Sequence, residues 1–205
     1  MPFLPLHKLI PEHIDPLTVC GIDEVGRGPW AGPLVACALM FRKDIRLHKL
    51  KDSKHLTEDR RNNFFRILAK KSCYGIGVVE VAEIDKIGLI KATNLAFVRA
   101  LEQMKQRPEF LVIDGRDRLN LPYPFKTFIK GDEKVKIIAC ASIMAKVFRD
   151  RLMEKLSKKY PKYGFESHKG YGTAEHKQAL EKHGACAIHR KSFAPVHELL
   201  QMKIV

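Results

Sequence analysis

Two acidic residues stand side by side at the end of an apolar run, in Gly21-Ile22-Asp23-Glu24-Val25-Gly26-Arg27-Gly28-Pro29. Adjacent carboxylates in a buried setting repel each other and lose hydration, and a divalent cation relieves both costs. An oxygen-only donor set suits Mg2+ or Mn2+. The plain alternative is a solvent-facing turn with two hydrated acids, the commoner case for an isolated Asp-Glu pair. Neighbours on a regular strand point to opposite faces. Both acids therefore serve one centre only where the strand ends or twists, which the following glycines permit. Asp114 closes the apolar run 110–114 and is followed by Gly115. A carboxylate ending a buried strand is a common catalytic placement, and an Asp-Gly turn is an equal alternative. Asp132, in Lys130-Gly131-Asp132-Glu133, stands where a long helix should begin. There an N-cap role is the stronger reading.

Ser142 and Lys146 lie four residues apart in Ala141-Ser142-Ile143-Met144-Ala145-Lys146, so on a helix they share a face. A hydroxyl beside an ammonium suits a phosphate, although spacing alone favours a solvated stripe. In Ser167-His168-Lys169-Gly170-Tyr171-Gly172-Thr173 an aromatic sits between glycines beside basic groups. Such a ring can stack on a sugar or base; otherwise it is a half-buried tyrosine in a loop. The glycines around Arg27 form neither a Walker A loop nor a dinucleotide fingerprint. They do let main-chain N–H groups approach a ligand closely.

The elements that must carry these residues follow from the apolar pattern. Residues 18–24 and 33–41 read as strands, the second a near-continuous apolar run. Thr57 can cap a helix reaching about Lys71, with Phe64, Phe65 and Leu68 inward. Residues 73–81 read as a strand. Residues 90–105 read as a helix with Ile90, Leu95, Val98 and Leu101 in helical spacing. Residues 110–114 read as a short buried strand, and 122–131 as extended. One long helix is expected from near Asp132 to about Leu156, and another over 173–183, capped by Thr173 and stopped by Gly184. This order indicates a mixed α/β domain.

Lys and Arg number 37 against 23 Asp and Glu, a net charge of +14 in 205 residues. That excess points to a polyanionic partner, nucleic acid being the commonest. A basic, soluble surface is the bland alternative. The five cysteines contain no C-x-x-C pair and read as reduced core residues. Neither a signal peptide nor a membrane-length apolar run is present, so a cytoplasmic protein is expected.

The strings GIDEVGRGPWAGPLV, DSK-x-L, VIDG, KGDEKVKIIACASIMAKVFRDRLM, HKGYGT and HRKSFAPV follow one another in this order. Together they resemble ribonuclease HII, the type 2 ribonuclease H family, from about Gly21 to Val196. The resemblance implies a ribonuclease H-like α/β fold, a mixed five-stranded sheet flanked by helices. On this reading residues 1–17 are an irregular lead-in. Residues 18–205 are the catalytic domain, with a C-terminal helical portion from about residue 157. It implies an endonuclease that hydrolyses the RNA strand of RNA–DNA hybrids. It also implies cutting on the 5′ side of ribonucleotides embedded in duplex DNA, giving 3′-hydroxyl and 5′-phosphate ends.

By matching position, Asp23, Glu24, Asp114 and Asp132 are the catalytic and metal-holding acids, for two Mg2+ or Mn2+ ions astride the scissile phosphate. Gly26, Arg27, Gly28 and Tyr171 match positions that detect a 2′-hydroxyl. Lys54, Ser142 and Lys146 match positions that hold the nucleic-acid backbone, and Lys169 adds charge beside them. The expected molecule is a monomer with nucleic acid, and no protein, as its partner.

Three other readings compete. A zinc hydrolase would use the crowded His168, His176, His183, His189 and Cys186, whose spacings fit no zinc motif. A non-catalytic basic binding module explains the charge but not four acids at element ends. A transposase or integrase with the same core would lack the quoted strings.

Overall fold

The computed structural model describes residues 3–43, 47, 50, 56–115 and 119–201. Its centre is set by two strands with almost no polar face. In β1 (Val19–Val25) the first five residues are buried, and in β2 (Leu34–Phe41) the first seven. Strands of this kind must be covered on both sides. They pair antiparallel, Ile22 opposite Ala38. β3 (Ser72–Val79) pairs antiparallel beyond β2. On the other side of β1, β4 (Phe110–Asp114) runs parallel to it, and β5 (Phe125–Phe128) runs parallel to β4. The result is a mixed five-stranded sheet in the order β3-β2-β1-β4-β5.

Alternation along the strands sorts the core into two layers. Val19, Val35, Cys37, Leu39 and Val112 face α1 (Glu58–Lys71) and the long helix that ends at Lys159. Cys20, Ile22, Ala36, Ala38, Leu111 and Ile113 face the opposite layer. There α2 (Val81–Ile87) leads into α3 (Leu89–Glu102).

α3 buries only part of the face expected of it: Leu101 is buried and Leu95 packs against the core. Ile90 is exposed, while Ala92, Ala96 and Ala100 are fully buried beside Phe97. The reason lies in β3. A Cβ added to Gly77 would sit 1.9 Å from the Ala96 carbonyl oxygen, and one on Gly75 2.0 Å from that of Ala100. Helix backbone thus rests on sheet backbone, which only a glycine–alanine contact permits.

Other boundaries also shift. β3 stops at Val79 rather than at residue 81, because Glu80 caps α2 in a reciprocal box with Glu83. The single helix expected from Asp132 is two: α4 (Gly131–Lys134) and α5 (Lys136–Lys159). They break at Val135, which is extended, buried and donates its N–H to the Gly131 carbonyl at 2.7 Å. Asp132 lies inside the first turn of α4, and the cap position belongs to Lys130 in a left-handed conformation. Hence the N-cap reading of Asp132 fails. α6 (Phe165–His168) and α8 (Ala194–Gln201) add to the expected set, and α7 (Ala174–His183) has the expected Thr173 cap and Gly184 stop.

The lead-in forms short 3-10 turns at Leu6–Lys8 and Pro16–Thr18 and buries Ile10 in the main core. Past α5, Tyr163 and Phe165 stack at 5.3 Å and build a small separate cluster with Ala31 and Met153. All five cysteines are free thiols, four of them buried. Among the described residues no helix is long and apolar enough to cross a membrane.

The Gly77 contact yields a test. Gly77→Ala should lower stability in urea unfolding by about 1–3 kcal/mol, the usual range for overpacking. A loss below about 0.5 kcal/mol, the range of neutral surface changes, would mean that α3 moves aside at no cost.

Candidate active site

β1 and β4 are parallel neighbours with Ile22 in register with Ile113. The next residues, Asp23 and Asp114, therefore leave the sheet side by side. Alternation turns both toward the α5 layer. Asp23 is 5% exposed and accepts hydrogen bonds from Ser142 of α5 and, at 2.8 Å, from the Glu24 N–H. Burial, then the charges of Glu24 and Asp114, push its carboxyl well above the usual carboxylate range.

Glu24 has the opposite parity but reaches the same side, because the strand ends at Val25 and Gly26 turns the chain at φ 96°. It pairs with Arg27 at 3.4 Å. Asp114 accepts the Gly131 N–H at 2.5 Å. A side chain at Gly131 would press on Ile138, 2.8 Å away. This docking of α4 against the end of β4 is what brings Asp132 to the site.

A cleft of about 380 Å3 opens here, lined by Glu24, Asp132, Ser142, Lys146, Arg61 and Tyr171 among others. A larger cavity of about 790 Å3, with Phe41, Arg42, Lys105 and Arg107, has no acid among the described residues of its wall. Of the candidate acids, Glu24 and Asp132 line the smaller cleft. Among the described residues, no three acids, histidines or cysteines converge closely enough to hold an ion as they stand.

Lys146 pairs with Asp150 at 2.8 Å and Lys169 with Glu154 at 2.8 Å. Lys54 lies outside the described residues. Gly28 and Tyr171 approach one another, the ring edge 3.9 Å from where a Gly28 Cβ would stand. Tyr171 itself is 42% exposed. Arg61 was not expected here; its only sequence signal is a second arginine in the first turns of α1.

The histidines expected to crowd do so, but not as a metal site. The His168 and His176 rings stack at 4.5 Å. His176 Nδ1 meets the Tyr171 carbonyl at 3.0 Å and can only donate to it. Its Nε2 then accepts, so His189 Nε2 must be the donor across the 3.0 Å contact between them. His189 Nδ1 is left as acceptor, matching the N–H of Cys186 at 3.0 Å. His168 accepts from the Gly170 N–H and donates to the Tyr163 carbonyl. Every nitrogen of these three rings has a hydrogen-bond partner within the protein, and His183 lies apart against Tyr163. The zinc reading fails on this count.

The family model described as Ribonuclease HII matches residues 20–196. A ribonuclease HII of Desulfitobacterium hafniense is 48% identical over 187 residues, 91% of this chain and 72% of that protein. The ribonuclease H2 structure from Pyrococcus horikoshii OT3 superposes with a TM-score of 0.76 at 28% identity, over 90% of this chain and 97% of that one. A Bst ribonuclease HIII solved in complex with Mn2+ has a TM-score of 0.73 at 20% identity, over 93% and 71% of the two chains, a likeness of fold alone. The ribonuclease H-like architecture expected from the motifs is the observed one.

The histidine chain sets a pH dependence. Burial holds His176 and His189 down to about 4. Below about pH 6.5 the unfolded chain takes up protons that the folded chain refuses. Their contribution is therefore complete above pH 6.5 and is lost as pH falls toward 4. Urea unfolding should show about 1–3 kcal/mol less stability at pH 5 than at pH 7. Asp23, shifted upward, opposes this trend, so Asp23→Asn should show the larger drop. Equal stability at both pH values in that variant would mean that the rings are not held neutral.

Proposed function

The chain belongs to the ribonuclease HII family, and we propose that it cuts on the 5′ side of single ribonucleotides in duplex DNA as well as within RNA–DNA hybrids, using two divalent cations. Membership makes it a ribonuclease H, a hydrolase that cleaves the RNA strand of RNA–DNA hybrids. The observation that carries the finer reading is the delivery of four acids, Asp23, Glu24, Asp114 and Asp132, to one end of the sheet beside a basic cleft.

These residues fit divalent cations. Their donors are oxygens only. Burial and two neighbouring acids press Asp23 toward its protonated form, a penalty that positive charge beside it reverses. Mg2+ or Mn2+ held by the four acids would supply an acidified water and a counter-charge for the departing 3′ oxygen. The remaining work falls to the chain. Ser142 fixes Asp23 by a hydrogen bond while its helix presents Lys146 to the cleft. Lys146, Arg61 and Lys169 neutralise backbone phosphates, drawing on the net charge of +14. Gly26, Arg27 and Gly28 offer main-chain groups to the ribose. Tyr171, half-exposed beside Gly28, stacks on the sugar and offers its hydroxyl to the 2′ oxygen. No side-chain nucleophile is required.

The deciding experiment is cleavage of a DNA duplex carrying one ribonucleotide, with and without Mg2+ or Mn2+. Metal-dependent cutting 5′ of the ribonucleotide, leaving 3′-hydroxyl and 5′-phosphate ends, is expected. Binding without cleavage in either metal would instead favour a binding module. Asp114→Asn should reduce cleavage by several orders of magnitude while duplex binding survives or tightens. Near-normal turnover would remove Asp114 from the site. Tyr171→Ala should reduce cleavage at a lone ribonucleotide more than it reduces binding of plain DNA, and unchanged cleavage would leave the Gly26–Gly28 loop as the sole reader of the sugar.

A further inference from the structure

Among the described residues Arg149 and Arg190 are the two largest fully buried side chains, each 0% exposed. All their described hydrogen bonds go to main-chain carbonyls. Arg190 holds Gly26 at 2.6 Å, Arg27 at 3.0 Å and Gly32 at 2.8 and 3.0 Å. Arg149 holds Pro33 at 3.0 Å, Lys169 at 3.0 Å and Ala31 at 3.2 Å. Among the described hydrogen bonds and ion pairs, neither guanidinium meets a carboxylate. Burial and the neighbouring Arg149 pull Arg190 down to about 9, so it stays charged at neutral pH.

Two like charges buried with Asp85 and Asp150 acting on them only from beyond direct contact are a poor way to stabilise a loop, since an apolar contact would do so at lower cost. Their bonds do something else, through the geometry of the peptide group. No peptide bond is cis, and in a trans peptide C=O and N–H point in opposite directions. With the Gly26 carbonyl turned to Arg190, the Arg27 N–H faces away from it. With the Arg27 carbonyl also turned to Arg190, the Gly28 N–H faces away as well. Arg149 completes the support from behind: a Cβ on Gly26 would lie 2.4 Å from its Nε, so the loop seats directly on this guanidinium. The same Arg149 holds the Lys169 carbonyl and lies 5.9 Å from the Tyr171 ring. One buried cationic pair therefore underlies both segments that border the cleft.

The geometry points to Arg190 as a positioning residue for sugar discrimination: its forked guanidinium orients the Arg27 and Gly28 N–H groups toward the nucleic acid, and its buried charge favours an anionic strand over the loop. This inference rests on the proposed reading of the Gly26–Gly28 loop, and the test separates the two.

Asp114→Asn serves as the parent, so that substrate is bound and not cut. Its affinity is measured for a duplex with one ribonucleotide and for the matched all-DNA duplex. Arg190→Lys is then added, which keeps the charge but loses the fork that holds two carbonyls at once. The preference for the ribonucleotide duplex should fall about tenfold, the scale of one lost hydrogen bond to the sugar, with all-DNA affinity nearly unchanged. Arg190→Met should lose the preference and also weaken all-DNA binding. If Arg190→Lys unfolds at lower urea yet discriminates as well as its parent, Arg190 is structural only and the inference is overturned. Equal binding of the two duplexes by the parent would overturn the loop reading and this inference with it. Should both variants fail to fold, amide exchange in the parent decides. Protection of the Arg27 and Gly28 N–H groups by the ribonucleotide duplex beyond that by all-DNA supports the orientation. Equal protection refutes it.

Discussion

A carboxyl group buried next to two others is the constraint around which this molecule is arranged. A one-residue slip of β1 would turn Asp23 to the opposite face of the sheet and separate it from Asp114. The slip is forbidden by the rest of the strand. Val19 and Gly21 face one layer and Cys20 and Ile22 the other, so a shift by one exchanges every contact. Gly21 adds a second lock, since a Cβ there would lie 2.7 Å from the Ile137 backbone. The apolar sheet thus holds an unfavourable electrostatic arrangement in place. Stability in the body of the fold is exchanged for poised charge at its end, the pattern expected of a functional centre.

The same arrangement explains why the helical layer is broken where it is. A continuous helix through Val135 would carry Asp132 along the axis of α5. The break lets α4 turn, with Lys130 in a left-handed conformation and Gly131 against Asp114. Lys169, the only other non-glycine residue of positive φ among those described, precedes Gly170 and Tyr171. Both irregular positions border the cleft. The regular elements supply rigidity, and the departures from regularity aim the side chains.

Much of this was legible in the residues. Strands announced themselves as apolar runs, and Asp23, Glu24 and Asp114 sat at the ends of two of them. Thr173 and Gly184 marked α7 at both ends by side-chain and backbone preferences that act locally. What stayed hidden depended on distant partners. Ile90 satisfied helical spacing, but the buried face of α3 was chosen by glycines in β3. Asp132 fitted a cap because nothing local showed that Val135 would leave the helix. Arg149 carried a faint signal, a charge at the buried spacing of Ala145 and Met153. Arg190 carried none, because its meaning depends on carbonyls more than 150 residues away. The tautomers of the histidines are likewise a property of the assembled chain.

That separation along the chain bears on how the protein comes into being. Synthesis proceeds from the N-terminus, and early segments fold as they emerge. The sheet, the four acids and Lys146 are all complete by α5. Tyr171, His176, His189 and Arg190 follow later, and the guanidinium that orients the Gly26 and Arg27 carbonyls is 164 and 163 residues distant from them. A nascent chain therefore holds its acidic centre before the peptide planes of the Gly26–Gly28 loop are set. The segment that carries Tyr171 and Arg190 thus closes loops of more than 150 residues onto a sheet that is already assembled.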